Sequence, residues 1–156
     1  MSVVHQDANL DHLDDILRVE QACFSDPWSR SAFLAEMDHN WSWFRVAGPA
    51  APDGHAVERV QAYHIAWFLD DEMHVLNLAV EPELRRGGLA RALLQEGLVE
   101  FSRRGGGLVH LEVRRSNEAA QALYAAFGFE PVGVRKGYYQ TEKEDAIVLL
   151  LPVAGV

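Results

Sequence analysis

The run Arg85-Arg86-Gly87-Gly88-Leu89-Ala90-Arg91 sets three arginines around a Gly-Gly pair where a helical pattern begins. Glycine lets a backbone turn sharply and approach a ligand. The first turn of a helix adds unpaired N–H groups and the positive end of the helix dipole. Such a loop suits a phosphate or pyrophosphate; a tight turn with solvated arginines is the plainer alternative. No GxxxxGK[ST] occurs, and no GxGxxG follows an early strand, so two nucleotide-binding motifs are excluded. Glu112 lies inside Leu108-Val109-His110-Leu111-Glu112-Val113, an apolar strand where a free carboxylate is costly. Burial there is expected to raise its pKa toward a range useful for proton abstraction. Pairing with Arg114 or Arg115, or exposure to water, is the alternative. His64, His74 and His110 are proton carriers by type and strand histidines by pattern. Cys23 has no basic residue immediately beside it in sequence, which argues against a nucleophilic thiolate.

The elements that must position these residues are legible from periodicity. Asp11 can cap a helix with Leu13, Ile16, Leu17 and Phe24 on one face, and Asp14 and Asp15 near its positive end. Asp26-Pro27-Trp28 breaks it, and Ser29 starts a second short helix holding Phe33 and Met37. Trp41–Ala47, Arg59–Phe68 and Met73–Val80 read as an antiparallel meander, with a long loop from Gly48 to Gly54. Leu89–Arg104 is predicted as a helix, stopped by Gly105-Gly106-Gly107. Leu108–Val113 is a short strand, expected to lie parallel to Met73–Val80 through a right-handed crossover. Asn117 caps the next helix, which bears Ala120, Leu123, Tyr124 and Phe127, and Gly128 suits its left-handed end. Val132–Tyr138 and Asp145–Leu151 close the chain. The fold class is α/β, α+β by another convention: a single domain over residues 1–156. Its sheet is expected to be mixed and mostly antiparallel, with a central parallel strand pair and flanking helices.

Composition narrows the function. The 156 residues are 49% hydrophobic and 24% charged, with a net charge of −9. That charge is uneven: −11 over residues 1–84, +4 over 85–136 and −2 over 137–156. A protein binding nucleic acid through overall positive charge is excluded, while a local anion site between Arg85 and Lys136 remains open. One cysteine permits no intrachain disulfide and no cysteine metal cluster, and suits a reducing compartment. The polar, acidic stretch from Met1 to Asp15 shows no secretory signal, and no apolar run reaches the roughly 18 residues of a membrane span. The expected location is cytoplasmic. The seven histidines show no HxxxH or HxH spacing, so no metal is expected.

Arg85-Arg86-Gly87-Gly88-Leu89-Ala90 matches the [Q/R]-x-x-G-x-[G/A] signature and resembles the GCN5-related N-acetyltransferases (GNAT). The order of elements is similar over nearly the whole chain. Five further stretches resemble the RimI-type ribosomal-protein alanine N-acetyltransferases: 76–80, 111–117, 122–129, 135–139 and 144–146. Cys23-Phe24-Ser25-Asp26-Pro27-Trp28-Ser29 is similar to their segment between the first two helices. Two positions depart from the pattern. Ala90 stands where glycine is frequent, and Gly87 where a polar residue is frequent.

The resemblance implies acetyl-CoA as cosubstrate, no metal, and the N-terminal alanine of small-subunit ribosomal protein eighteen as acceptor. Direct transfer must deprotonate the ammonium, polarise the thioester carbonyl and protonate the leaving thiolate. By resemblance Glu112 is the general base and Tyr124 the acid, although Tyr124 by pattern is a core tyrosine. Arg85, Arg86, Gly87, Gly88, Leu89, Ala90 and Arg91 would hold the pyrophosphate. Backbone N–H groups near Leu78, Ala79 and Val80 would polarise the carbonyl. Asn117, a helix cap, would also lie near the pantetheine. Phe24, Trp28, Tyr138 and Tyr139 would surround the peptide N-terminus, and Glu20 or Asp70-Asp71-Glu72 could attract a basic tail. Other protein N-termini, lysines or small amines are alternative acceptors. A non-catalytic acyl-CoA-binding module is the alternative from another class.

Overall fold

The structure is a computed structural model that describes residues 2–139 and 144–156. Among the described residues, seven strands join in the order β1-β2-β3-β4-β5-β7-β6. They are β1 (Val3–Asp7), β2 (Ser42–Pro49), β3 (Ala62–Leu69), β4 (Glu72–Val80), β5 (Gly106–Arg114), β6 (Glu130–Tyr139) and β7 (Glu144–Ala154). The helices are α1 (Leu13–Cys23), α2 (Arg30–Met37), α3 (Leu89–Arg103) and α4 (Glu118–Ala126). The expected mixed sheet is present: β4 and β5 pair in parallel, and β1–β2, β2–β3, β5–β7 and β6–β7 pair antiparallel. No helix among the described residues is long and apolar enough to cross a membrane.

The chain forms two compact units that divide β4 between them. The first comprises Met1–Trp67 and Asn77–Gly97; the second comprises Phe68–Leu76 and Leu98–Val156. In the first, α1 buries Leu13, Ile16 and Val19 on one helical face, as its spacing requires. Val80 packs with Ala47, Ala62 and Leu93, and Leu78, Leu84, Leu89 and Ala90 close around them. In the second, Phe68 stacks on Phe101, and the Arg104 guanidinium sits 4.5 Å above the Phe68 ring.

Two local expectations need correction. Asp11 does not cap α1. Asn9 accepts from the Asp11 N–H and caps a short 3-10 turn, Leu10–His12, that leads into α1. Strand β1 was not foreseen, because Val-Val-His-Gln-Asp has no clear alternation and pairs at an edge, where little burial selects a pattern. Elsewhere the caps follow the sequence. Ser29 accepts from Ala32 N–H at the start of α2, and Asn117 from Ala120 N–H at the start of α4. The triple glycine after α3 is needed for space as well as for conformation. Gly107 has φ 142°, and a Cβ there would lie 1.8 Å from the Asp71 carbonyl oxygen.

Candidate active site

In the first unit, β4 delivers the chain into the arginine- and glycine-rich loop before α3. Glu81, nearly buried, is gripped by Arg18 and by Arg59 at 2.9 Å, and its N–H donates to the Gln61 carbonyl. Arg18 also reaches the Val60 carbonyl at 2.8 Å. These contacts fix the point from which the loop departs. A 3-10 turn at Pro82–Leu84 follows, then Arg86 at φ 70° and Gly88 at φ 87°. The left-handed turn the loop needs thus falls on an arginine and the second glycine. Arg85, Arg86, Gly87, Gly88 and Arg91 are exposed, while Leu89 and Ala90 face the core and leave only their backbone to a ligand. Three exposed guanidinium groups at a helix start fit the diphosphate of an acyl-CoA.

The segment between α1 and α2 is held by a buried carboxylate. Glu20, 1% exposed, accepts from the Tyr63 hydroxyl, from Asn77 Nδ2 at 2.9 Å and from the Trp28 N–H at 2.9 Å. Glu20 is therefore a structural anchor and cannot attract a substrate tail. Trp28 packs on Phe33 at 5.2 Å, and both Phe24 and Trp28 stay half-buried at the junction. Cys23 donates to the Val80 carbonyl at 3.2 Å. The sequence showed no basic neighbour, yet the fold brings Arg85 to this thiol; burial still outweighs it and raises the thiol pKa. The thiol stays protonated, so it remains a poor nucleophile.

In the second unit, the parallel register sets His74 beside His110 and runs from Glu72↔Leu108 to Val75↔Leu111. Side chains alternate along a strand, so Glu112 shares the face of His110. The two imidazoles stack at 4.4 Å and 15°. Glu112 Oε2 lies 2.9 Å from His74 Nε2, and Oε1 lies 3.5 Å from Arg135 Nη1. Neither Arg114 nor Arg115 is its partner. Those arginines reach Glu144 and Asp145, at 3.5 and 3.8 Å. The expected upward shift of Glu112 is also overturned. The hydrogen bond with His74 holds its carboxyl below the usual range, against a burial that is only partial.

The tyrosines gather in the same unit. Tyr124 is buried edge-to-face against Phe129, and burial pushes its phenol well above the ordinary value. Tyr139 is raised by burial to about 12, with its ring 4.0 Å from the Arg114 guanidinium. Tyr138 points outward, 42% exposed, and lies 5.2 Å from Arg135. The adjacent pair divides between solvent and the sheet, as alternation requires. Asn117 is exposed and spends its side chain on the α4 cap.

His74, His110 and Glu112 each bring a ligand atom within 4.8 Å of the others. Local spacing could not reveal this cluster, because one histidine comes from each of two strands. Imidazole lone pairs lie in the ring plane, so two nearly parallel stacked rings do not converge on one ion. With Arg135 alongside, the trio fits proton handling better than a cation. Sequence reasoning also missed Asn77, Tyr63, Arg18 and Arg135. Only strand parity combined with the register would have placed Arg135 and His74 against Glu112.

The family model described as the acetyltransferase (GNAT) family matches residues 13–129. This chain belongs to the GNAT family. GNAT relatives include a protein named [ribosomal protein bS18]-alanine N-acetyltransferase from Escherichia coli. It is 35% identical over 138 residues, 87% of this chain and 88% of the relative. A protein named N-alpha-acetyltransferase RimI from Mycobacterium tuberculosis is 36% identical over 80% of this chain and 75% of its own length. The crystal structure of the ribosomal-protein-S18-alanine N-acetyltransferase from Escherichia coli superposes with a TM-score of 0.87. It is 30% identical and covers 99% of this GNAT chain and 96% of that one.

Proposed function

We propose that the 156 residues act as one domain that transfers acetyl from acetyl-CoA to the N-terminal alanine of small-subunit ribosomal protein eighteen. The exposed arginine loop binds the diphosphate. Glu112 accepts the ammonium proton, the amine nitrogen bonds the acetyl carbon, and the thioester C–S bond breaks. Tyr124 donates a proton to the leaving sulfur and is restored by the second proton, which the nitrogen sheds as the amide forms. Burial keeps the Tyr124 phenol protonated at neutral pH, so the proton is there to give. Backbone N–H groups at Leu78, Ala79 and Val80 polarise the carbonyl, and Phe24, Trp28, Tyr138 and Tyr139 receive the peptide. No acyl-enzyme is involved, since the Cys23 thiol stays protonated. The reading includes a cytoplasmic location, in keeping with the one free cysteine.

The observation that carries the acceptor class is the 2.9 Å contact between His74 Nε2 and Glu112 Oε2, which holds the carboxylate low. A carboxylate held low is a weak base. An α-amine, with an ordinary pKa of about 7.7–8.0, is easier to deprotonate than a lysine near 10.4 by about 3 kcal/mol. An N-terminal amine therefore suits this site better than a lysine. The 35% identity to the bS18 enzyme supports alanine in particular.

The test is acetyl transfer to a peptide panel that varies the first residue, against internal-lysine peptides, polyamines and aminoglycosides. Alanine-first peptides are expected to lead in kcat/KM. Equal turnover of every first residue would remove the alanine assignment, and faster lysine acetylation would remove the α-amine reading. Binding of CoA without any turnover would favour a non-catalytic module.

A further inference from the structure

We infer that His74 is a positioning residue for the transfer, aiming the Glu112 carboxylate through an N–H donated from Nε2. The inference rests on Glu112 being the base. Three geometric facts support it.

The first is the division of the carboxylate. Oε2 is taken by His74 at 2.9 Å, while Oε1 faces Arg135 only at 3.5 Å, beyond a good hydrogen bond. One oxygen is thus anchored and the other left able to meet an incoming ammonium. The second is the fixing of the imidazole itself. His74 stacks on His110 at 4.4 Å and 15°, so its ring plane is set by a neighbour on the paired strand. His110 in turn lies 3.6 Å from Glu72. Burial, then the nearby His74, keeps His110 below its ordinary value, so it serves as a neutral buttress. The third is environment. The Glu112 side chain is 12% exposed and lies in an apolar strand. Without a donor, partial desolvation would favour its protonated form, which cannot accept a proton. Among the described residues, the charged and titratable groups around the pair include His110, Glu72, Arg135 and Tyr139. Of these, Arg135 is half-exposed and too distant to replace a 2.9 Å donor. The proton balance is simple. The first ammonium proton goes to Glu112, the second replaces the one Tyr124 gives to the sulfur, and His74 takes part only as a hydrogen-bond partner.

The experiment compares His74→Leu, His74→Gln and Glu112→Gln with the unaltered chain, using acetyl-CoA and an alanine-first peptide from pH 5 to 9. Leucine removes the donor, and glutamine keeps an N–H at similar reach. His74→Leu is expected to lower kcat about tenfold. It should leave KM for acetyl-CoA unchanged and move the acidic limb of kcat to higher pH. His74→Gln is expected to restore most of kcat and the limb. A His74→Leu protein with unaltered kcat and pH profile would overturn the inference. So would a His74→Gln protein as impaired as His74→Leu, which would mean that the ring carries the proton itself. If His74→Leu does not fold, the glutamine variant alone decides. Full activity of Glu112→Gln would instead overturn the base assignment. An inactive Glu112→Gln beside a normal His74→Leu would remove only the role of His74.

Discussion

Glu112 shows how a residue type can be found from sequence while its protonation behaviour cannot. Its place in an apolar strand marks it as unusual, yet the sign of its shift depends on His74, 38 positions earlier. Held low by that bond, Glu112 stays ionised across neutral pH. The rise of kcat/KM with pH should then follow the peptide α-amine, near its ordinary 7.7–8.0, and not the enzyme carboxylate. Replacing the peptide with one whose amine has a lower pKa should shift the profile downward by the same amount; an unmoved profile would refute this. Glu112→Gln should reduce kcat on the order of a hundredfold with acetyl-CoA binding nearly retained. Tyr124→Phe keeps the Phe129 contact and removes only the hydroxyl. It should therefore lower kcat without lowering the melting temperature by more than a few degrees, which thermal unfolding would check.

At the scale of elements, the loop proposed to hold the diphosphate is the part whose shape matters most. Gly88 at φ 87° meets no atom that a Cβ would strike, so its requirement is conformational and not steric. Gly88→Ala should cost about 1–2 kcal/mol in that turn, read as a roughly 5–30-fold weaker acetyl-CoA affinity by calorimetry. Unchanged affinity would mean that the loop tolerates another path. The loop's entry is fixed by Glu81 between Arg18 and Arg59, contacts that no local motif announces. The same is true of the α1–α2 segment. The pattern gives Glu20 as an acidic helix residue, and only packing shows that Tyr63, Asn77 and Trp28 surround it.

For the whole molecule, one buried group and one half-buried group link stability to acid. His64 is fully buried, neither ring nitrogen is hydrogen-bonded, and burial lowers its pKa to about 4. Its polar neighbours, the Glu96 carboxylate and the Leu93 backbone, do not offset that burial. The unfolded chain binds this proton below about 6.5 and the folded chain only near 4. Stability is therefore full above pH 6.5 and falls between 6.5 and 4, by about 3 kcal/mol at most. Burial alone would raise Glu96, but His5 and Arg45 hold it down to about 2, so its contribution is lost between pH 4.5 and 2. Denaturant unfolding of His64→Leu from pH 7 to 4 should show a flatter slope than the unaltered chain. Equal slopes would exclude His64 as the source. The charge imbalance also works at this scale. Acetyl-CoA binding should weaken with salt, because the net +4 of residues 85–136 includes the three loop arginines.

The sequence by itself determined the order of elements after α1, the caps at Ser29 and Asn117, the Gly-Gly turn before α3 and the family. Each depends on neighbours a few positions apart: periodicity, turn residues and capping are local physics. Strand β1 escaped because an edge strand needs little pattern. Tertiary structure alone decided the partners of Glu112, the burial of Glu20 and the approach of Arg85 to Cys23. Those contacts join residues dozens of positions apart. A carboxylate's charge state is set by what comes within a few ångströms of it in space, and that is a property of strand register and packing.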